Sequence, residues 1–92
     1  MQFEWDESKN KNNIKKHSVC FEDAIPVFFD EKALSFDDSR HNYEDGQRMI
    51  IIGANTIDLL YVAYADIEKD VIRIISVRPA ESRDIKRYQR GY

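Results

Sequence analysis

Apolar residues cluster in three stretches of the second half of the chain, RMIIIG (48–53), DLLYVAYA (58–65) and VIRIISVR (71–78). β-Branched and aromatic side chains dominate them, and the connectors ANTI and DIEKD have hairpin lengths, so the pattern predicts antiparallel strands. ALSFDD (33–38) alternates well enough for another strand, and the polar SRHNYEDGQ (39–47) after it reads as a loop. Upstream, FEWD (3–6) reads as a short extended segment. ESKNKNNIKKHS (7–18) lacks Pro and Gly and reads as a helix, although Ile14 is its only large apolar residue and the asparagines at 10, 12 and 13 argue against it. CFEDAIPVFF (20–29) places Phe21, Ala24, Ile25 and Phe28 at helical spacing, with Glu22 and Asp23 in the first turn. Pro26 lies too deep for the favoured first-turn position, which predicts a short or bent helix. AESRDIKRYQR (80–90) reads as a C-terminal helix anchored by Ile85 and Tyr88. The expected fold is α+β, an antiparallel β-sheet with two N-terminal helices and one C-terminal helix, in one domain over residues 1–92.

The arginines are the first departure from a plain core pattern. Period two puts Val71, Arg73, Ile75 and Val77 on one face of the last strand, and Ile72, Ile74, Ser76 and Arg78 on the other. Desolvating a guanidinium without a partner is costly, so mid-strand Arg73 needs a carboxylate (Asp58, Asp66 or Glu44) or an anionic ligand. Arg78 ends the strand, where solvent alone would satisfy it. Arg48 is a third cation on the predicted sheet. Arginine suits a phosphodiester because its fork presents paired donors and stays charged at any working pH.

Charge distribution strengthens that reading where the total does not. The net charge of −3 argues against nucleic-acid binding. Yet residues 9–17 hold four lysines, a histidine and no acid, and residues 71–92 hold six Lys/Arg against two acids. Residues 18–46 between them hold two basic residues against eight acidic ones. Folding that joins the basic segments would create a local positive field. With 42% apolar and 34% charged residues the chain suits a globular protein rather than a disordered one. Neither a transmembrane run nor a signal-peptide pattern is visible. The single cysteine, Cys20, excludes a disulfide framework and a CxxC metal site, so a reducing cytoplasm is the expected compartment.

Other chemistry-bearing residues are ambiguous on their own. His17 reads either as a helix C-terminal residue or as a general acid/base near neutral pH. His41 with Asp37, Asp38, Glu44 and Asp45 matches no zinc or calcium spacing and reads as a solvated acidic loop. Cys20 reads as a small packed residue. Tyr88 either anchors the last helix or stacks on a base. Alternation separates Tyr61 from Tyr64 onto opposite faces, and each carries the same ambiguity.

Taken in order, these segments resemble the BrnT family of bacterial toxins. The family pattern opens F-x-W-D, here Phe3, Trp5 and Asp6, and continues K-x-x-x-N, here Lys9 and Asn13. K-H-G-V-x-F-x-x-A follows, matched by Lys16, His17, Val19, Phe21 and Ala24. The R-x-x-x-I-G strand is matched by Arg48, Ile52 and Gly53. R-I-I-S-x-R is matched by Arg73, Ile74, Ile75, Ser76 and Arg78, and the helical tyrosine by Tyr88. The resemblance implies a RelE-like fold, a ribonuclease activity that arrests growth, and a cognate antitoxin (BrnA-like, with a DNA-binding domain) in a hetero-oligomer, with no cofactor, no metal and no membrane partner. Four departures stand out. Ser18 replaces the usual glycine after the histidine, and Cys20 a better N-capping hydroxyl. Pro79 replaces a common basic residue, and Asp84-Ile85 stands where Glu-Arg is frequent; these last two lower the positive charge along an RNA path.

Metal-free RNA cleavage uses the substrate's own 2′-hydroxyl as nucleophile, so the protein positions, moves protons and stabilises charge. On that expectation Arg73 and Arg78 hold the scissile phosphate, Arg48 adds a phosphate contact, His17 transfers a proton and Tyr88 positions or stacks a base. Lys15, Lys16, Arg83, Lys86 and Arg87 are the expected RNA contacts. Strict alternation separates Arg73 from Arg78, and only a bulge, or Arg78 leaving the strand, would let both serve one site; if just one is catalytic, Arg78 is the expected one. A binding module without catalysis, and a subunit docking an acidic protein, are the competing readings; salt-dependent RNA affinity separates them.

Overall fold

The structure, a computed structural model, describes residues 1–43 and 46–92, and the side chains of all of these except 39–43 and 46. Strand β1 (Gln2–Glu4) leads into helix α1 (Glu7–His17), then a 3₁₀ segment (Phe21–Phe29). Strands β2 (Leu34–Tyr43), β3 (Gly46–Ala54), β4 (Leu59–Glu68) and β5 (Val71–Pro79) follow, then helix α2 (Ser82–Arg90). The sheet order is β1-β5-β4-β3-β2. The β2–β5 meander is antiparallel, as its hairpin-length connectors predict, and β1 joins the edge of β5 in parallel, with Glu4 opposite Arg73. None of the described helices is long and apolar enough to cross a membrane.

Two expectations about local structure are corrected. Residues 39–43, read as loop, continue β2: Asn42 pairs with Gln47 and Tyr43 with Gly46, after an irregularity that begins at Asp37. A ladder is made by backbone groups, so a polar run is tolerated on an edge strand whose side chains need not enter a core. Glu44 and Asp45, and the side chain of His41, lie outside the described residues, and with them the acidic grouping around His41. The segment 21–29 is helical but 3₁₀ rather than α. Pro26 has no N–H and its ring would meet the carbonyl four residues back in an α-helix.

Asparagines that argued against α1 are what fasten it. Asp6 caps the helix, accepting the Ser8 and Lys9 amides at 2.8 and 3.3 Å. Asn10 Oδ1 accepts the Phe21 amide at 2.8 Å. Asn13 behaves as a surrogate strand residue: its Nδ2 donates to Val77 O at 2.8 Å and Val19 O at 2.9 Å, and its Oδ1 accepts the Val77 amide at 3.2 Å. β1 pairs only with residues 71–73 of β5, so Asn13 closes the edge that β1 leaves open. Ser18 ends the helix in the left-handed region at φ 60°, the conformation for which the family's glycine is suited.

Both sheet faces are covered. Ile51, Val62, Tyr64, Ile72, Ile74 and Val77 pack with Val19, Phe21, Ala24 and Val27 of the α1–3₁₀ side. Ile50, Ile52, Ala63, Ala65 and Ile75 form the opposite cluster, joined by Tyr61, Phe36 and Tyr88 of α2. The 3₁₀ segment approaches β3 so closely that a Cβ at Gly53 would stand 2.8 Å from Val27 Cγ1 and 3.0 Å from Ala33 Cβ.

Candidate active site

A β-bulge decides where the arginines point. Ser76 pairs with Ala63 and Ile74 with Tyr64, so Ile75 is the extra residue of β5. Ile74 and Val77, three apart, therefore face the same core, and Arg73, Ser76 and Arg78 all lie on the face that α2 covers. Strict alternation had put Arg73 and Arg78 on opposite faces; that expectation is corrected by the bulge.

Sharing a face does not bring them together. One row of residues crosses the sheet as Arg48, Ala65, Arg73 and Glu4 on adjacent strands. A second row, Ile52, Tyr61 and Arg78, lies roughly 13 Å away, from four residues at about 3.3 Å each. Within that spacing the two guanidinium groups turn to different carboxylates, Arg73 to Glu4 and Arg78 to Asp84.

The two rows also differ in how their arginines are engaged. Arg73 gives its Nε–Nη2 edge to Glu4 Oε2, at 2.9 and 2.7 Å. Its carboxylate therefore comes from β1, not from Asp58 or Asp66 as the sequence suggested. Arg48 stands 3.3 Å from the buried Asp38. In the second row, Arg78 uses only Nη1: it donates to Asp84 Oδ2 at 2.8 Å and Pro79 O at 3.2 Å, and lies 3.4 Å from Glu81 Oε1. The Arg78 guanidinium lies 3.8 Å above the Tyr61 ring, a cation–π geometry. Among the described residues its Nε–Nη2 edge makes no hydrogen bond.

Helix α2 carries the remaining groups across the strands. Asp84 meets β5 through Arg78, Arg87 lies 3.9 Å above the Phe36 ring on β2, and the Tyr88 hydroxyl donates to Asp30 Oδ2 at 2.8 Å. Between this helix and the sheet is a cleft of about 220 Å³ lined by Phe36, Tyr61, Arg83, Asp84 and Arg87. Two aromatic rings, each beneath a guanidinium, with Arg83 beside them, make an anionic and aromatic ligand the natural occupant. Phe36 and Asp84 had not been singled out as site residues, because only the register and the path of α2 bring them to Arg78. The alternation of 33–38 was the available signal for Phe36.

Tyr88 has a defined electrical environment. Its hydrogen bond to the Asp30 carboxylate, helped by burial, raises its pKa above the ordinary phenol value, so it is a donor and not a base at neutral pH. Burial pushes the Asp30 carboxyl up, but the amides of Ala54 and Lys32 and the Tyr88 hydroxyl outweigh it and leave a lowered pKa. His17 ends α1, one helical turn beyond Asn13 on the same helix face, and is half-buried. It makes no hydrogen bond or ion pair with Arg78 or Tyr88 among the described residues. Lys15 and Lys16 are exposed beside it, and Lys86 is exposed on α2.

Comparison with known proteins agrees with this architecture. The crystal structure of the Brucella abortus ribonuclease toxin BrnT is similar at a TM-score of 0.68 and 28% identity, over 89% of this chain and 99% of that one. No curated protein sequence matches. The family model described as "Ribonuclease toxin, BrnT, of type II toxin-antitoxin system" matches residues 5–84, a span that holds Arg48, Arg73, Arg78 and Asp84. The chain belongs to the BrnT family.

Proposed function

We propose that this protein is the toxin of a type II toxin–antitoxin pair, a metal-independent endoribonuclease that cuts cytoplasmic RNA and arrests growth until a cognate antitoxin neutralises it. Family membership carries the toxin role and the ribonuclease class. The single observation that carries the site is Arg78, stacked on Tyr61 with its paired-donor edge unengaged beside the cleft of Phe36, Arg83 and Arg87.

On this reading the scissile phosphate meets the Nε–Nη2 edge of Arg78. The 2′-oxygen attacks phosphorus, the P–O5′ bond breaks, and the products are a 2′,3′-cyclic phosphate and a 5′-hydroxyl. The 2′-hydroxyl proton must leave and the 5′-oxygen must gain one; His17, at the end of α1 by the β5 edge, is the candidate for that transfer. Arg78 stabilises the charge that builds on the phosphoryl oxygens. Arg83 and Arg87 hold flanking phosphates, and Lys86, Lys15 and Lys16 extend the track. Tyr88 acts as a donor and helix anchor. Arg73 and Arg48, each beside a carboxylate, contact RNA beyond the scissile position. The antitoxin is BrnA-like with a DNA-binding domain, and the complex is a hetero-oligomer.

The test is cleavage of a mixed RNA by purified protein in excess chelator, with and without ribosomes. Arg78→Ala should abolish cleavage in a folded protein, whereas Arg73→Ala should leave most of the rate and lower the salt dependence of binding. No cleavage by wild type under either condition would remove the enzyme reading. Salt-dependent RNA affinity without cleavage would instead identify an inactive homologue, a reading favoured by the Asp84 carboxylate already paired with Arg78.

A further inference from the structure

Asp84 is an unexpected lining for an anion cleft. Its carboxylate is 5% exposed and faces the same space as Arg83 and Arg87, so it repels the ligand those residues attract. It is also firmly held: Oδ2 accepts the Glu81 amide at 2.9 Å, in the first turn of α2 where the helix dipole favours a negative charge. A pair whose sole duty was to fasten α2 to the sheet would use the bidentate edge of the arginine, as Glu4 does with Arg73. Asp84 instead takes Nη1 alone, and the ring of Tyr61 supports one flat face of the guanidinium.

We propose that Asp84 and Tyr61 are positioning residues that present the Nε–Nη2 edge of Arg78 to a single RNA phosphate. The inference rests on the ribonuclease reading for its substrate, but not for its geometry. A planar cation held at one corner and on one face has lost most of its rotamer freedom before the ligand arrives, and its free edge is the one that matches two phosphoryl oxygens. Asp84 thereby trades ground-state affinity for orientation. This predicts an opposite response of binding and cleavage, which a purely structural ion pair would not show.

Three variants and three readouts test it. Asp84→Asn keeps an oxygen for the Glu81 amide and for Arg78 but removes the charge; Tyr61→Phe keeps the ring and Tyr61→Leu removes it. Affinity is read with a 2′-O-methyl RNA that cannot be cut, cleavage by single-turnover rate, and Arg78 mobility by ¹⁵N relaxation of its Nε–H. Asp84→Asn should bind the methylated RNA about threefold tighter or more, since a negative charge near the phosphate is gone, yet cleave at least about tenfold more slowly. Tyr61→Leu should slow cleavage more than Tyr61→Phe does, because phenylalanine keeps a ring beneath the guanidinium. The Nε–H should be rigid in wild type and in Tyr61→Phe, and mobile in the other two. Binding and cleavage falling in proportion in Asp84→Asn, or an Nε–H as rigid there as in wild type, would overturn the proposal. If wild type neither binds nor cuts RNA the ribonuclease reading fails on its own. The relaxation data still decide the clamp: a mobile Nε–H in wild type refutes it, and rigidity lost in Asp84→Asn and Tyr61→Leu supports it.

Discussion

Truncating Asn13 to alanine should cost this fold more than any exposed substitution on α1, and the size follows from its partners. The side chain is 7% exposed and makes three hydrogen bonds, two to the backbone of Val77 and one to Val19 O. Val77 is 1% exposed, so removing the amide strands an N–H and a carbonyl at an edge that β1 does not reach. A buried polar group left without a partner costs about 1–3 kcal/mol, and water entering the vacated space recovers part of it. A net loss of about 3 kcal/mol is expected. Stability for a chain of this length is on the order of 5–14 kcal/mol, so the variant remains folded but close to the edge. In urea, with a slope of about 1–1.5 kcal/mol per molar, the midpoint should fall by roughly 2–3 M with the slope unchanged. Asn12→Ala, on the exposed face of the same helix, is the matched control and should move it by less than about 0.5 M. A shift for Asn13→Ala no larger than that control would show that α1 is held by apolar packing and that the amide bridge to β5 is incidental.

Other consequences can be checked with the same denaturation assay. Gly53→Ala should destabilise by about 1–3 kcal/mol, because the new Cβ meets Val27 and Ala33 on a β-strand that cannot retreat; an unchanged midpoint would mean that the 3₁₀ segment yields instead. Ser18→Gly should stabilise by about 1 kcal/mol by relieving a left-handed serine, and any loss would refute that origin. The lowered Asp30 carboxyl contributes stability that is fully present above its ordinary value of 3.8 and is lost as pH falls through the lower folded value. The stability gap between wild type and Asp30→Asn should therefore be widest at neutral pH and close as the solution is acidified below about pH 4; a gap independent of pH would exclude the carboxylate as its cause.

What could be read in advance divides by physical cause. The three apolar runs became β3, β4 and β5 because strands buried on both faces need continuous hydrophobicity, which is a local property of the chain. The resemblance to the BrnT motifs carried the family, and the family model agrees. Asn10 and Asn13 misled because propensity scales price asparagine against water, while here each amide replaces a strand or a loop neighbour. The polar 39–43 misled for the related reason that composition describes side chains and a ladder is made of backbone. Glu4 as the partner of Arg73 was invisible, since parallel pairing between residues about 69 positions apart leaves no local trace.

The bulge at Ile75 links these failures to the site. A period-two reading of VIRIISVR assigns Arg73 and Arg78 to different faces, and a reading of the family motif treats them as one phosphate clamp. The pairing across β4 overturns the first. One extra residue turns Arg78 onto the face of Arg73, and the same strand length keeps them roughly 13 Å apart, one committed to Glu4 and the other stacked on Tyr61. The two arginines of one motif are therefore engaged in different ways. Arg73 ties β1 to the sheet through its Nε–Nη2 edge, whereas Asp84 meets Arg78 at Nη1 from α2 and leaves that edge without a hydrogen bond among the described residues. The bulge can be moved without touching either arginine. Deleting Ile75 would remove the extra residue and join Ile74 to Ser76, and strict alternation would then keep Val77 on the α1 side and Arg73 and Arg78 on the α2 side. A protein so altered should keep the Arg78–Tyr61 contact and lose only the Ile75 side chain from the α2-side cluster, so a folded variant without that contact would show that the bulge does more than set the face of Arg78.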